Sequence, residues 1–359
     1  MLKMLSFMKH PQSGAARAMA VEEWKIIMNT QTKTNEALLA PGLNLRPAQW
    51  GDVKPVAQLI LDVCTADGDP TVAVTPEELE SEWKSPGFEL ERNAWVVETG
   101  DGGIVGFQEF NNRHAHASLM GDGYVHPEYH GHGLGTAMLR ALEGRAREEM
   151  KLAEPDLRVF IRNGMPIGDT SARQLHENEG YHPIRFSWHM EIELNEVPPT
   201  PAWPEGIELR LFGMEQHNRM VFEAHEEAFS DHWGHTPGTF ERWQHNISGR
   251  DDLDASLWFI AWDGDQIAGY SLCRYRMGAG WVDTLGVRRA WRKRGLGEAL
   301  LLHSFGEFYK RGMKTIGLSV DAQNPTGATR LYKKAGMHVA AEYVIYEKEL
   351  RSGRAIDED

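Results

Sequence analysis

The chain has 359 residues, of which 41% are hydrophobic and 25% charged, and its net charge at pH 7 is −14. This length predicts two domains, each large enough to bury a core. No apolar run approaches the roughly 20 residues of a membrane span, and the acidity argues against a nucleic-acid partner. The two cysteines, Cys64 and Cys273, share no motif, so we expect neither a disulfide framework nor a cysteine zinc site, and we expect a cytoplasmic protein.

The chain contains one domain twice. GLNLRPAQWGDV from residue 42 recurs as GIELRLFGMEQH from residue 206, and WVVETGDGGIVGF recurs as WFIAWDGDQIAGY. GYVHPEYHGHGLG, ARQLHENEGYHPI and EIEL recur as GVRRAWRKRGLG, ATRLYKKAGMHVA and EKEL. The offset between copies falls from 164 to 156 residues, and we place the six extra residues of the first copy in NGMPIGDTSA, which matches NPTGA. So long a repeat indicates a duplicated domain rather than a solenoid.

The repeat sets the domain boundaries. Residues 1–41 form an extension whose basic, acid-poor start faintly resembles a transit peptide, and we expect it to be poorly ordered. The first copy spans residues 42–194 and the second spans residues 206–350. Between them, NEVPPTPAWPE (residues 195–205) has four prolines and predicts a semi-rigid linker, and residues 351–359 form a loose tail.

The elements are clearest in the second copy. A strand (IELRL) leads into a helical segment containing VFEAHEEAF, and WFIAWDGDQIAGYSLC predicts a hairpin that turns at Asp263-Gly264. The strand WVDTLGV then runs into a glycine loop, followed by a helix that ends near Gly312. The strand TIGLSVD, a helix within NPTGATRLYKKAG and the strand EYVIYEKEL complete the copy. The fold class is therefore α/β, with a mixed, mostly antiparallel sheet flanked by helices in each copy.

The glycine loop has the composition of an anion site. Free N–H groups at the start of a helix carry partial positive charge, glycine lets the backbone approach a ligand, and cationic side chains add charge-assisted hydrogen bonds. The loop lacks the Gly-Lys-Ser/Thr of a P-loop and the pattern of a dinucleotide fold, which favours a pyrophosphate bound without Mg²⁺. Its residues are Arg292, Lys293, Arg294, Gly295, Leu296, Gly297 and Glu298.

The loop and the segment that follows it resemble the GNAT superfamily of acyl-CoA-dependent N-acetyltransferases. The resemblance rests on R-x-x-G-x-G after a strand, then Asn324, and then L-Y-x-x-x-G containing Tyr332. It covers both copies, and the tandem arrangement with EEAFSDHWG is most similar to mycothiol synthase-like proteins. The resemblance implies an N-acetyltransferase that uses acetyl-CoA as cosubstrate.

The resemblance also implies roles for individual residues. The backbone of Leu285, Gly286 and Val287 would pair with the pantetheine arm, and residues 292–298 would hold the pyrophosphate. Asn324 would hydrogen-bond the pantetheine, and Tyr332 would protonate the departing thiolate. A phenol suits that task because a thiol with a pKa near ~8.5 is a better leaving group beside a donor.

The general base is less certain from the sequence, because the glutamate of mycothiol synthase-like enzymes is replaced by Trp281. We expect Asp283, two residues along the strand, to point to the same face and act as the base. The alternative is an Asp satisfied by a local hydrogen bond. Other candidates lie in the segment expected to line the acceptor pocket: Glu226, Glu227, Asp231 and His232.

The first copy lacks the chemical groups of the second. Its loop reads HGHGLG from His130, and His176 and Gly121 stand where the second copy has Tyr332 and Asp283. We match Asn163 with Asn324, and we expect the backbone of Val125, Gly131, Gly133 and Gly135 to keep the shape of a coenzyme A site. We interpret this copy as structural, perhaps retaining coenzyme A, with a second active site using His176 as acid as the rival.

We therefore expect transfer of an acetyl group to the primary amine of a small molecule, by direct attack in a ternary complex within the second copy. The acidic balance favours a cationic acceptor. The alternative is a non-catalytic acyl-CoA-binding sensor or scaffold. We expect no metal, since the histidines at 114, 116, 126, 130 and 132 lack ligand spacing, and a monomer or homodimer with no membrane partner.

Overall fold

A computed structural model describes residues 38–235, 237–248 and 253–356, so most of the predicted extension and the end of the tail lie outside the described residues. Nearly every element falls where its hydrophobic periodicity places it. In the first copy the strands are β1 (Leu43–Pro47), β2 (Ala94–Thr99), β3 (Ile104–His114), β4 (Ser118–Val125), β5 (Val159–Pro166) and β6 (His182–Glu193). The helices are α1 (Val53–Ala66), α2 (Pro76–Trp83), α3 (Leu90–Asn93), α4 (Leu134–Glu149) and α5 (Thr170–Asn178).

The second copy repeats this order. Its strands are β7 (Ile207–Leu211), β8 (Trp258–Asp263), β9 (Gln266–Arg276), β10 (Ala279–Val287), β11 (Thr315–Asp321) and β12 (His338–Arg351). Its helices are α6 (Met214–Phe229), α7 (Phe240–Ser248), α8 (Leu296–Lys310) and α9 (Ala328–Lys334). The hairpin turn is shifted by one residue from the prediction: Asp263 pairs with Gln266, and Gly264 adopts φ +56°.

The strands of both copies form one continuous sheet of twelve strands, in the order β1-β2-β3-β4-β5-β12-β6-β11-β10-β9-β8-β7. Pairing is antiparallel except between β4 and β5 and between β10 and β11. The last strand of each copy is exchanged: β12 lies between β5 and β6, and β6 pairs with β11. The two copies therefore share backbone hydrogen bonds at the centre of the sheet.

Buried ion pairs hold the exchanged strand β12. Glu347 is 4% exposed and accepts hydrogen bonds from Arg158 (2.6 Å) and Arg162 (2.9 Å) of the first copy. On the same strand, Lys348 Nζ lies 2.6 Å from Oε1 of Glu143 on α4. Since a buried charge that loses its partner is costly, these pairs fix the register of β12 against β5.

The hydrophobic core lies on both faces of the sheet. Helix α4 packs on the first half and α8 on the second half of one face, while α1 and α2, and then α6, cover the other. Both cysteines are buried and unpaired. Within the described residues, no helix has the length and apolar character needed to cross a membrane.

The structure corrects the position of the six extra residues. Ile161 pairs with Leu119 in the first copy as Gly317 pairs with Trp281 in the second, and the path onward to His176 or Tyr332 is equally long in both. The extra residues instead lie between α4 and β5, where residues 150–158 replace the short connection 311–314. The sequence match of NGMPIGDTSA with NPTGA was wrong because the asparagine was aligned without regard to strand register.

Candidate active site

Strands β10 and β11 part after a short parallel contact, which opens a cleft in the second copy. They pair only at Gly280–Ile316 and Trp281–Gly317, whereas β10 stays paired with β9 as far as Val287. The edge of residues 285–287 that faces β11 therefore lacks a ladder partner among the described residues. Unpaired backbone N–H and C=O groups at such an edge can bind an extended amide-bearing ligand.

A glycine on this strand is required by packing. A Cβ at Gly286 would lie 2.4 Å from the hydroxyl oxygen of Tyr270, whose ring is fully buried beneath the strand. Leu285 and Val287, on either side, pack against the hydrophobic cluster that contains Tyr332. The edge of the cleft is thus held in place by the core below it.

Asp283 lies in a β-bulge, where the register with β9 shifts between Val282 and Thr284. Simple alternation from Trp281 does not apply across a bulge, because the extra residue resets the faces. The indole of Trp281 is buried against His189, while the Asp283 carboxylate accepts a hydrogen bond from Arg274 (2.9 Å) and faces a cavity. Arg274 also binds Glu78 of the first copy.

The second glycine loop, residues 292–297, joins β10 to α8. Gly295 is the residue before the helix, has φ +86° and has open space where a Cβ would sit. The exposed side chains of Lys293 and Arg294 form no hydrogen bond or ion pair with the described residues. The loop therefore presents two cations and the free N–H groups of a helix start on one surface.

Arg292 differs from its two neighbours because its guanidinium is already engaged. It donates to the Val287 carbonyl (3.1 Å), the Ala228 carbonyl (2.9 Å) and the Asp231 carboxylate (2.9 Å). The first copy has an equivalent bond, from His130 Nε2 to the Val125 carbonyl (3.3 Å). This loop position ties the strand end to the loop, and in the second copy also to the end of α6, rather than offering a free cation.

The remaining predicted cofactor residues converge on α9. Gly297 lies between the side chains of Val287 and Leu331, and a Cβ there would be 3.6 Å and 3.5 Å from them. Leu296 is buried, and Glu298 pairs with Lys334 of α9 (2.7 Å). The strand end, the loop and α9 are therefore brought together.

Tyr332 lies in α9 and is 8% exposed, and burial raises the pKa of its phenol to about 12. Its proton is therefore retained at neutral pH and is available for donation. Asn324 precedes α9, and its side-chain oxygen accepts hydrogen bonds from the backbone N–H (2.8 Å) and the hydroxyl (2.5 Å) of Thr326. Asn324 thus shapes the turn before α9, and its amide nitrogen is left available to a ligand.

A cavity of about 450 Å³ lies between the two copies. It contains Asp283 and Thr284, directly before the cleft edge, together with aromatic side chains that include Trp243 and Trp258. Its charged side chains are six carboxylates (Glu78, Glu82, Glu109, Asp122, Asp254 and Asp283) and four arginines (Arg113, Arg242, Arg274 and Arg276). Half of these carboxylates come from β3, β4 and the end of α2, which the sequence analysis did not associate with the site.

The first-copy carboxylates are held in a weakly acidic state. Burial, followed by the charges of Glu82 and Asp122, raises the pKa of Glu109 to about 8. Burial, followed by the charges of Asp122 and Glu78, raises the pKa of Glu82 to about 7. The Glu82 side chain is open to the cavity, and the protein that surrounds the cavity disfavours its charge. A cation in the cavity would relieve this mutual repulsion.

The other candidate bases are engaged at the end of α6. Glu227 accepts hydrogen bonds from Arg288 (2.6 Å) and the Arg289 backbone (3.3 Å), and Asp231 is bound by two arginines. Glu226 accepts from the Gly238 backbone (3.0 Å). Burial lowers the pKa of His232. The three carboxylates hold the loops around the cleft together.

The first copy keeps the backbone of the cleft but not its opening. Pairing of β4 and β5 continues through Gly121–Asn163, two residues further than in the second copy. Strand register shows that Asn163 is equivalent to Ser319, so its match with Asn324 was wrong. Its amide nitrogen lies 2.9 Å from His176 Nε2, while His176 Nδ1 lies 2.8 Å from the Ala172 carbonyl.

This arrangement leaves His176 without a proton to donate into the cleft. Burial lowers the pKa of its imidazole. The carbonyl of Ala172 takes the Nδ1 proton, so Nε2 is the acceptor for Asn163. His116 elsewhere in this copy binds Glu149 (2.6 Å), which accounts for one of the clustered histidines.

Comparison with known proteins identifies the family. The acetyltransferase (GNAT) family model matches residues 218–337, and a second acetyltransferase (GNAT) domain model matches residues 91–183. A solved GCN5-related N-acetyltransferase from Sphaerobacter thermophilus is 38% identical, and the match covers 89% of this chain and 99% of that one with a TM-score of 0.73. The chain belongs to the GNAT family.

Other relatives support the tandem type of GNAT. Mycothiol acetyltransferase from Catenulispora acidiphila is 26% identical over 251 residues, which cover 68% of this chain and 77% of the relative. A tandem GNAT protein from the clavulanic acid biosynthesis pathway shares the fold, at 16% identity and a TM-score of 0.65, over 87% of this chain and 100% of that one. The GNAT chain is thus an N-acetyltransferase that uses acyl-CoA and resembles mycothiol synthase.

Proposed function

We propose that this GNAT enzyme transfers an acetyl group from acetyl-CoA to the primary amine of a small cationic molecule, with the chemistry in the second copy. The observation that carries the proposal is the continuity of two spaces. The unpaired edge of residues 285–287 follows directly from Asp283 and Thr284, which line the acidic cavity. A thioester along that edge and an amine in the cavity would meet at this strand.

The second copy supplies groups that suit each part of acetyl-CoA. The cleft edge pairs with the amides of the pantetheine arm, and the Asn324 amide can donate to a carbonyl of that arm. Lys293, Arg294 and the N–H groups at the start of α8 bind the pyrophosphate. Arg292 positions this loop through Val287 and the end of α6 rather than binding phosphate itself.

The reaction proceeds by direct attack of the neutral amine on the thioester carbonyl carbon. A carboxylate of the cavity takes the ammonium proton, the C–S bond breaks, and the departing thiolate takes the Tyr332 proton. Asp283 remains our proposed base, because it is the carboxylate on the strand that carries the cleft edge. Glu109 is the second candidate, since a carboxyl with a pKa of about 8 is better matched to an ammonium at neutral pH.

The cavity also limits the acceptor. Its excess of carboxylates over arginines favours a cation, and its tryptophans suit a sugar ring or an aliphatic ammonium. The mycothiol acetyltransferases among the relatives act on mycothiol precursors by name, but Trp281 stands where their glutamate is expected. We therefore propose a small amine, including cysteinyl and amino-sugar amines, without restricting it to the mycothiol precursor.

A Tyr332→Phe variant tests the assignment. Loss of the proton donor is expected to lower kcat by about 100-fold or more, with the affinity for acetyl-CoA unchanged. The assay is release of coenzyme A thiol with a panel of primary amines, beside calorimetric titration of acetyl-CoA. Tyr309→Phe, on helix α8 and in contact with the same cluster, is the matched control and should retain full activity.

Two results would contradict this assignment. An unchanged kcat in Tyr332→Phe would remove the tyrosine from the reaction. Tight binding of acetyl-CoA without turnover on any amine would instead favour the alternative of an acyl-CoA sensor. The fully buried core beneath the cleft and the acidic cavity beside it favour the enzyme, since a sensor needs no acceptor space.

A further inference from the structure

The two glycine loops have the same backbone shape but different surroundings. Gly133 and Gly295 each precede the first helical residue, and both have φ +86°. The space above Gly295 is open, with no atom within 4 Å of a built Cβ. At Gly133 the carbonyl oxygen of Leu38 lies only 2.0 Å from the Cβ position, and the Leu39 Cα lies at 3.6 Å.

The segment of residues 38–41 is anchored where it crosses the first loop. The Ala40 backbone N–H donates to the His132 carbonyl (3.1 Å), and its carbonyl accepts from the Leu43 N–H (3.3 Å). The side chains of Leu38 and Leu39 pack against the hydrophobic cluster of the first copy. The segment is therefore tied by a backbone bond on one side and by apolar contacts on the other.

The chemistry of the first loop suits this neutral occupant. Where the second loop has Arg292, Lys293 and Arg294, the first has His130, Gly131 and His132. His130 and His132 bind backbone carbonyls of the loop region. A helix start still attracts partial negative charge, and the Leu38 carbonyl oxygen is a neutral group that provides it.

The inner part of the first cleft is closed as well. The two additional β4–β5 pairs, ending at Gly121–Asn163, occupy the backbone that a pantetheine arm would use. Asn163 and His176 then bond each other across the buried space. Entry of an arm would require both the strand pairs and this hydrogen bond to break.

We propose that the first glycine loop is a binding site for the chain's own residues 38–41, which replace acyl-CoA there. The enzyme consequently binds one acyl-CoA, in the second copy. The first copy serves the reaction by contributing Glu82, Glu109 and Asp122 to the acceptor cavity. Only the location of the single acyl-CoA rests on the proposed function.

Hydrogen exchange of the full-length chain, followed by mass spectrometry, tests the proposal. The first N–H groups of a helix have no intrahelical partner, so their protection depends on what covers them. Peptides covering residues 131–136 should be protected without ligand and unchanged by saturating acetyl-CoA. Peptides covering residues 293–298 should gain protection on adding acetyl-CoA, and calorimetry should give one equivalent.

A Leu38→Gly/Leu39→Gly variant removes the apolar anchors, and exchange at residues 131–136 should become about tenfold faster. A Leu152→Gly variant, which trims a leucine that is 66% exposed, is the control and should leave that exchange unchanged. Unchanged exchange in the double variant, added protection of residues 131–136 by acetyl-CoA, or a second equivalent bound would each overturn the proposal. Absence of any effect of acetyl-CoA at residues 293–298 would refute the second-copy site, while leaving the test of the segment intact.

Discussion

The carboxylate of Asp69 is the clearest target for testing how the two copies are joined. Asp69 follows α1, is 4% exposed, and accepts hydrogen bonds from His189 on β6 (2.7 Å), Tyr343 on β12 (2.6 Å) and Thr71 (2.5 Å). Burial alone would raise its pKa, but these donors, led by His189, outweigh it and lower the pKa from 3.8 to about 2. The ionised carboxylate thus links the first-copy loop to both exchanged strands.

The depressed pKa sets the magnitude of the effect. A change from 3.8 to about 2 corresponds to about 2.5 kcal/mol of folding free energy at neutral pH. Because the folded pKa is the lower one, this stability is present above pH 3.8 and is lost as the pH falls toward 2. We expect Asp69→Asn to lower the free energy of unfolding by about 2.5 kcal/mol at pH 7, and by about half as much at pH 3.

Urea denaturation at both pH values measures this difference. Asp62→Asn is the matched control, since Asp62 is an exposed carboxylate on α1 whose printed partner is Gln58, and its loss should change stability by less than about 0.5 kcal/mol. If the two variants lose the same stability, Asp69 does not act as a buried anchor. If the loss in Asp69→Asn does not diminish at pH 3, the ionised carboxylate is not its source.

Three further predictions concern the strand exchange, the cleft and the base. Glu347→Gln should lower stability by about 3 kcal/mol, measured by thermal unfolding, because it leaves two arginines of β5 without their buried partner. Gly286→Ala should lower stability by about 1–3 kcal/mol, since its Cβ would overlap the buried Tyr270 hydroxyl; denaturation at full stability would contradict that packing. If Glu109 takes the proton, kcat/KM for the amine should rise with pH to a plateau above about 8, and Glu109→Gln should remove that rise. Loss of the rise in Asp283→Asn alone would assign the proton transfer to Asp283.

The local elements were predictable because they depend on short-range patterns. The strand TIGLSVD and the helix starting after Gly295 follow from alternating apolar residues, glycine positions and helix periodicity. The second glycine loop was also recognisable, since its cations and glycines are adjacent in sequence. These features need only a few neighbouring residues, so a single copy contains all the information.

Register and bulges were less accessible to the sequence. The match of Asn163 with Asn324 relied on residue type, whereas the β4–β5 pairing places Asn163 opposite Gly121. The bulge at Asp283 similarly depends on how β10 fits β9. Both are decided by backbone hydrogen bonds between strands that are distant in sequence.

The sequence by itself determined the duplication, the α/β class and the identity of the copy that retains cations and a tyrosine. Only the tertiary structure decided that the copies exchange their last strands, that Arg292 is occupied by carbonyls and Asp231, and that Leu38 covers Gly133. It also brought Glu109 of the first copy to the cavity that contains Asp283. Periodicity records which side of an element is buried, but the partner on that side is chosen by packing across the whole chain, where burial and charge pairing act between residues that no local pattern connects.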